Sequence, residues 1–294
     1  MQNICRKIQR RLFNNKKYFC AFSEILSKTN QNSSEDGVSS QKYFNEEIIV
    51  SLTSYDKRIN DVYLPIESIM SNSTKPNKIV LWLGENMKNC PLPETLKNQQ
   101  KRGLEIRFTK DIRSYTKLIP SLKEFPNDTI ITIDDDVLYP CDTIETLLNA
   151  HKKNSNLIYA RRMHRIIVGA DNIRPYKKWD WEIQDDKISP LNFPTGIGAV
   201  LYPPKCFSEE VFNENVFGDI CKFADDIWFK AMSLLNGVNS QKVNTENSRK
   251  EFGISGFLEN EPMNILGLWN KNRTMNDIQL KAIFDKYNLW EKLV

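Results

Sequence analysis

The sequence predicts an α/β fold with a mostly parallel central sheet flanked by helices, and three observations carry that prediction. Between residues 47 and 154, apolar β-branched runs alternate with helical stretches, the pattern of parallel strands joined by right-handed crossovers. One run, Thr129-Ile130-Ile131-Thr132-Ile133, passes directly into Asp134, Asp135 and Asp136 and stops at Pro140. Such a run suits a strand covered on both faces, and ligands of open α/β sheets bind outside the carboxyl ends of the strands. The 294 residues, 40% hydrophobic and 11% aromatic, suffice for one large domain with an appendage.

In chain order, residues 1–27 form a basic amphipathic segment. Arg6, Lys7, Arg10, Arg11, Lys16 and Lys17 occur there without an acid among the first 17 residues, and Ile4, Ile8 and Leu12 recur every four. With Phe22, Ile25 and Leu26 following, the segment reads either as a helix on an anionic membrane surface or as a helix packed on the domain. Residues 28–45 are polar and read as a linker, which leaves 46–294 as the folded domain. Within it, strands are expected at 48–53, 78–84, 104–109 and 129–135, followed by helices at 64–70, 94–102, 115–124 and 142–154 respectively. Beyond these, 157–168 reads as one long strand, 174–194 as a Trp-rich irregular segment and 198–202 as a further strand. Helices are expected at 224–237 and 277–293, and no internal repeat is present.

Composition excludes several classes. Lys plus Arg number 41 against 37 Asp plus Glu, too balanced to suggest a nucleic-acid partner. The 6 cysteines form no C-x-x-C pair and the only histidines are His151 and His164, so neither a zinc site nor a disulfide framework is expected. No apolar run approaches the ~18 residues of a membrane span, and the basic N-terminus lacks the apolar block of a signal peptide. The expected location is a reducing cytoplasm.

Five constellations are candidates for chemistry. If the strand continues through the acids, Asp134 and Asp136 share a face about 7 Å apart while Asp135 points away. Two such carboxylates make a hard-oxygen site for Mg²⁺ or Mn²⁺, although an isolated Asp-x-Asp reads equally as an acidic turn ahead of a helix capped by Asp142. After the first strand, Thr53, Ser54, Tyr55 and Arg58 offer hydroxyls, a ring and a cation where sheets of this kind hold nucleotides. The segment 111–118, with Asp111, Arg113, Tyr115 and Lys117, combines an acid for a base or ribose with cations for phosphate, or is simply a solvated helix start. Gly196 and Gly198 allow close backbone approach to a ligand, or simply a turn. Asp225 and Asp226 open a helix that needs only one of them as its cap.

Taken together, the 111–118 segment with Asp111, Tyr115, Lys117 and Leu118, the strand into Asp134-Asp135-Asp136, the Gly196/Gly198 turn and the Asp225-Asp226-Ile227 helix ending at Gly237 resemble bacterial GT-A-fold glycosyltransferases. These act in surface-polysaccharide and lipooligosaccharide synthesis and are more distantly similar to the fringe and β-1,3-galactosyltransferase group. The resemblance covers roughly 48–237, with a weaker tail pattern at Asn276-Asp277-Ile278-Gln279-Leu280. It implies a Rossmann-like GT-A fold and a metal-dependent, inverting, hexosyltransferase-like reaction. The donor would be a nucleotide-diphosphate sugar, first of all a UDP-sugar, and the acceptor a glycan or glycolipid at the inner face of the membrane, where the enzyme would be peripheral. By resemblance, Asp134 and Asp136 hold Mn²⁺ or Mg²⁺. Asp111, Tyr115, Lys117 and the acidic motif meet the donor, and Asp226 is the base, with Asp225 standing where the distant group has glutamate. Residues 161–193 match nothing in the family.

The chemistry is consistent with that implication. A nucleoside diphosphate leaves readily only when its developing charge is neutralised, and with no histidine in a motif the base must be a carboxylate. Asp225 is expected to cap the helix and Asp226 to accept the proton, its ionised form favoured by the helix N-terminus. Residues 261–277 read as a lid over the diphosphate or as an ordinary surface loop. Two alternatives remain: a scaffold that binds nucleotide or glycan without turnover, and a sugar nucleotidylyltransferase, against which the first strand lacks a Gly-rich phosphate loop.

Overall fold

The computed structural model describes residues 16–169, 173–243, 252–253 and 265–293. Strands β1 (Ile48–Thr53), β2 (Lys78–Gly84), β3 (Leu104–Thr109), β4 (Thr129–Thr132), β6 (Ile158–Ala160), β9 (Val200–Tyr202) and β10 (Ser240–Lys242) form one sheet in the order β10-β6-β9-β4-β1-β2-β3. β9 runs antiparallel to both of its neighbours and the remaining pairs are parallel; outside this sheet, β5 (Val137–Leu138) pairs antiparallel with β11 (Phe252–Gly253). The protein therefore has the α/β class expected from its sequence, a mostly parallel Rossmann-like sheet flanked by helices.

Alternation along the strands divides the core into two layers. Ile49, Val80, Ile130 and Val200 face one side, with α4 (Ile119–Glu124), α6 (Glu214–Ile220), α7 (Asp225–Leu235) and α8 (Ile265–Tyr287) contributing to that layer. Val50, Leu52, Leu81, Ile131 and Leu201 face the other, covered by α2 (Tyr63–Met70), α3 (Glu94–Gln100) and α5 (Thr143–Lys153). With both faces covered, the inner strands β1, β2 and β4 need apolar residues at odd and even positions, which is why they read as nearly unbroken runs, whereas the edge strand β3 alternates. Each aliphatic side chain so buried contributes roughly 1.5–3 kcal/mol.

Several expectations are corrected. The acidic strand ends at Thr132 rather than residue 135, because Asp134–Asp136 lie in the turn that leaves the sheet. The long strand expected at 157–168 is two, β6 in the main sheet and β7 (Met163–Arg165), which pairs with β8 (Asn192–Pro194) in a separate ribbon. The chain changes sheets at Arg161, whose buried guanidinium donates to Thr146 Oγ1 at 2.9 Å. Residues 261–277 do not form an open lid loop in the part described, since helix α8 occupies 265–287.

The linker expected at 28–45 is instead docked on the domain. Helix α1 (Lys16–Asn32) runs into it and packs on α2 and α3, burying Phe22, Leu26 and Asn30 at four-residue spacing. Asn30 donates to the Thr95 carbonyl at 3.0 Å. Further on, Gly37 N donates to the Arg102 carbonyl and Ser39 N to the Pro76 carbonyl, each at 2.8 Å. The segment docks through backbone groups and the Asn30 amide, and its few apolar side chains, Val38, Tyr43 and Phe44, pack against the core. Phe22 and Leu26 thus serve protein packing, the second of the two readings given to that face, while residues 1–15, with Ile4, Ile8, Leu12 and four of the basic side chains, lie outside the described residues.

Candidate functional site: an acidic cleft at the carboxyl ends of the strands

The site begins where β4 ends. Ile133 N still donates to the Ser51 carbonyl at 3.1 Å, and the next residue, Asp134, donates its N–H to the hydroxyl of buried Tyr139 at 2.8 Å. The turn between them brings all three aspartates to one cavity of about 600 Å³. Strand alternation does not apply in a turn, so Asp135 is not directed to the opposite face. It accepts from Ser54 Oγ at 2.8 Å and from Arg58 Nη1 at 2.6 Å, while Arg58 Nη2 reaches Asp136 at 3.3 Å. Burial raises the Asp135 carboxyl above its ordinary range, against Arg58 and Ser54. Thr53, Ser54, Tyr55 and Arg58, all expected here, do line the cavity, as does Asp111.

Lys117 joins the two halves of the site. Its backbone carbonyl accepts from Ser51 Oγ of β1 at 2.6 Å, and Ser51 Oγ also shares a 2.7 Å hydrogen bond with Ser121 Oγ. The 3₁₀ turn Arg113–Lys117 is thereby fastened to the sheet. The buried ammonium lies 3.1 Å from Asp134 Oδ1 and 3.4 Å from Asp225 Oδ2. Burial disfavours its charge, but Asp134 and Asp225 more than offset this and its pKa rises. Burial pushes Asp134 up to about 6 despite Lys117. A Cβ at Gly196 would stand 2.9 Å from Lys117 Nζ, so glycine there makes room for the ammonium. Gly198 sits at φ 101, a conformation open to glycine. Neither glycine borders the cavity itself, whereas Ile197 between them does.

Helix α7 overturns the expected division of labour between its two acids. Its cap is Ala224, with no side-chain capping bond; Asp225 pairs with Lys117, and Asp226 Oδ1 accepts from Ile227 N at 2.9 Å. The Asp226 pKa is not lowered by the helix terminus but raised to about 7, first by burial and then by Asp225. Asp225 reaches the cavity through Lys117; Asp226, half-buried, does not line it. Tyr115 is also corrected from donor contact to core residue. Its ring is 1% exposed, stacked on Phe217 with centroids 4.1 Å apart, and its hydroxyl donates to the Cys221 carbonyl.

Sequence reasoning missed the rim. Asn86 and Met87 after β2, together with Lys222 and Phe223, border the cavity, beside Arg113 of the 111–118 segment. Tyr55, Ile197 and Phe223 are exposed to 60%, 44% and 56%, so three large apolar side chains stand around one opening. Position in turns just after or before regular elements was the only signal, and many surface residues share it.

Asp134 and Asp136 suit a hard divalent cation in one respect: Asp134 Oδ2 is buried with no hydrogen-bond partner among the described residues. No group of three or more His, Cys, Asp or Glu side chains is assembled for a metal among those residues. Phosphate oxygens and water would have to complete the shell, which is how Mg²⁺ is commonly held.

No protein-family model matches the chain, and no curated protein sequence matches it. Solved structures that superpose on it include S. aureus TarS 1–349, at 12% identity over 71% of this chain and 60% of that one, with a TM-score of 0.43. Another is the mannosyltransferase PcManGT of Pyrobaculum calidifontis in complex with GDP-Man and Mn²⁺, at 13% identity over 78% and 66%, TM-score 0.43. The inositol-1-phosphate CTP transferase of T. maritima matches at 11% identity over 68% and 86%, TM-score 0.41. Likenesses this distant carry no argument about the reaction; the sheet and the cleft stand on their own geometry.

Proposed function

We propose that the protein is a GT-A-type glycosyltransferase that moves a sugar from a nucleotide-diphosphate donor, first of all a UDP-sugar, to a glycan or glycolipid acceptor with inversion. The observation that carries the reading is the convergence of Asp134, Asp135, Asp136, Lys117 and Asp225 at the carboxyl end of the sheet, with a buried, unpartnered oxygen on Asp134. The acidic cleft would accept a phosphate-bearing ligand only with cationic help. A bound Mn²⁺ or Mg²⁺, held by Asp134 and Asp136, would supply the charge neutralisation that a diphosphate leaving group needs.

The protein's own residues do the rest. Arg58 fixes Asp135 and Asp136 in one orientation, and Lys117 holds Asp134 against Asp225, so donor-side and helix-side carboxylates keep a fixed spacing. Thr53, Ser54 and Asp111 offer polar contacts to the nucleoside, and Tyr55 an apolar face. Asp226, raised to about 7, has the basicity to take a proton from an acceptor hydroxyl near neutral pH, with Asp225 as the neighbouring carboxylate. A bacterial surface polysaccharide or lipooligosaccharide acceptor and a peripheral place on the inner face of the membrane rest on the sequence resemblance alone.

The test is a panel of nucleotide sugars with Mn²⁺ or Mg²⁺, reading release of nucleoside diphosphate with and without extracted surface glycan. Glycan-dependent release from one donor is expected. Pyrophosphate release from a nucleoside triphosphate and a sugar 1-phosphate, without glycosyl transfer, would replace this reading by nucleotidyl transfer, and binding without any turnover would leave a scaffold.

A further inference from the structure

The four cations of the cleft are used differently. Arg58 and Lys117 are committed to the aspartates. Among the described residues, Arg113 and Lys222 enter no ion pair. Both stand over the exposed ring of Phe223 instead, with the Arg113 guanidinium 5.1 Å and the Lys222 ammonium 5.9 Å from its centroid. Two charges and a ring are thus presented to the cavity opening, with no carboxylate among the described residues paired to either charge.

This arrangement is built rather than incidental. Arg113 has φ 62, a left-handed backbone that a long L side chain keeps only where its surroundings fix it. Asp111 Oδ1 supplies that fixing by accepting from Arg113 N at 2.7 Å. Phe223 N donates at 3.0 Å to Oε1 of Gln279, a buried residue of α8. The backbone of Phe223 is therefore tied to the C-terminal helix while its side chain stays exposed. From Arg113 and Lys222 an open groove of about 500 Å³ continues past Asn215 and Gly218. The acids beside it are Asp111, used by the turn, Glu214, which pairs with Lys110, and Asp219.

We infer that Arg113, Lys222 and Phe223 form a second recognition site at the cavity mouth, for a phosphate ester carried next to a planar or apolar face. The guanidinium can engage phosphate through two parallel hydrogen bonds, the ammonium adds a point charge, and the ring supplies the stacking plane. The inference rests on the nucleotide-sugar reading. Its phosphate belongs either to the donor's diphosphate or to a phosphorylated acceptor, with the same chemistry in each case.

The experiment uses the full chain with Arg113→Gln, Lys222→Gln and Phe223→Leu. These surface changes should leave the melting temperature near that of wild type, which is measured alongside. In the first arm, calorimetry with Mn²⁺ compares UDP with uridine. In the second, glucose 6-phosphate is compared with glucose at saturating UDP and Mn²⁺. A donor phosphate predicts that each cation variant weakens UDP about tenfold and leaves uridine unchanged. An acceptor phosphate predicts unchanged UDP binding and an about tenfold loss confined to glucose 6-phosphate. In either case Phe223→Leu weakens the same ligand, and raised salt narrows the difference from wild type. Variants that match wild type within about twofold in both arms would overturn the site. A wild-type chain that binds no UDP at all would remove the nucleotide-sugar reading and this inference with it.

Discussion

At the scale of single residues, the account turns on Lys117. Its ammonium is the buried cation between Asp134 and Asp225, so Lys117→Met would leave two carboxylates buried without their counter-charge. Removing one partner of such a group costs about 3–5 kcal/mol. We expect a clear fall in melting temperature together with loss of turnover, and an unchanged urea midpoint would contradict the bridge. Gly196→Ala is the milder probe, since the new Cβ falls 2.9 Å from Nζ. It should lower kcat by about tenfold or more with little change in stability. Asp226 gives a pH prediction. A base with a pKa of about 7 is protonated below that value, so kcat/KM should climb tenfold per pH unit on the acid side of 7 and level off above it. Asp226→Asn should abolish that limb and cost ~10²–10⁴-fold in rate. If Asp225→Asn does so instead, the base is Asp225.

At the scale of elements, the β7–β8 ribbon and its aromatic cluster offer a stability test. His164 Nδ1 accepts from Glu182 N at 3.0 Å, and its ring tilts against Trp181 with centroids 4.6 Å apart. Burial, helped by Arg162, lowers its pKa from 6.5 to about 4. The unfolded chain therefore binds the proton more readily. The contribution is full above pH 6.5 and is lost as pH falls toward 4, by up to roughly 3 kcal/mol at about 1.4 kcal/mol per unit. The urea midpoint should drop between pH 7.5 and 5, and His164→Gln should flatten that drop; an equally steep drop in the variant would refute it. Deleting residues through Asn32 should likewise destabilise the domain rather than merely release it from a surface, because Phe22, Leu26 and Asn30 leave buried positions.

Elements of regular periodicity were legible in the sequence, and those held by local polar contacts were not. β1, β2 and β3 were read with the bounds they have, β1 and β2 because burial on both faces demands apolar residues nearly throughout, and the edge strand β3 because Leu104, Ile106 and Phe108 alternate with polar residues. The docking of 28–45 left no such trace, since Gly37 and Ser39 are held through their backbone N–H groups. The aspartate cluster was legible as a site, but its geometry was not. Alternation assumes an extended chain, and the bond from Asp134 N to Tyr139 marks a turn that composition does not announce. Tyr115 fitted a motif, yet its burial against Phe217 depends on α6, a hundred residues away.

At the scale of the molecule, sheet order brings the carboxyl ends of β1, β3 and β4 to one cleft, and α7 closes it through a single lysine. The central claim is that this cleft takes a nucleoside diphosphate with a divalent cation on Asp134. The most direct measurement is titration calorimetry of UDP into wild type with Mn²⁺, into wild type in chelator, and into Asp134→Asn with Mn²⁺. Measurable affinity is expected only in the first case, with the variant still folded by its melting curve. Equal UDP affinity in chelator, or in folded Asp134→Asn, would contradict it.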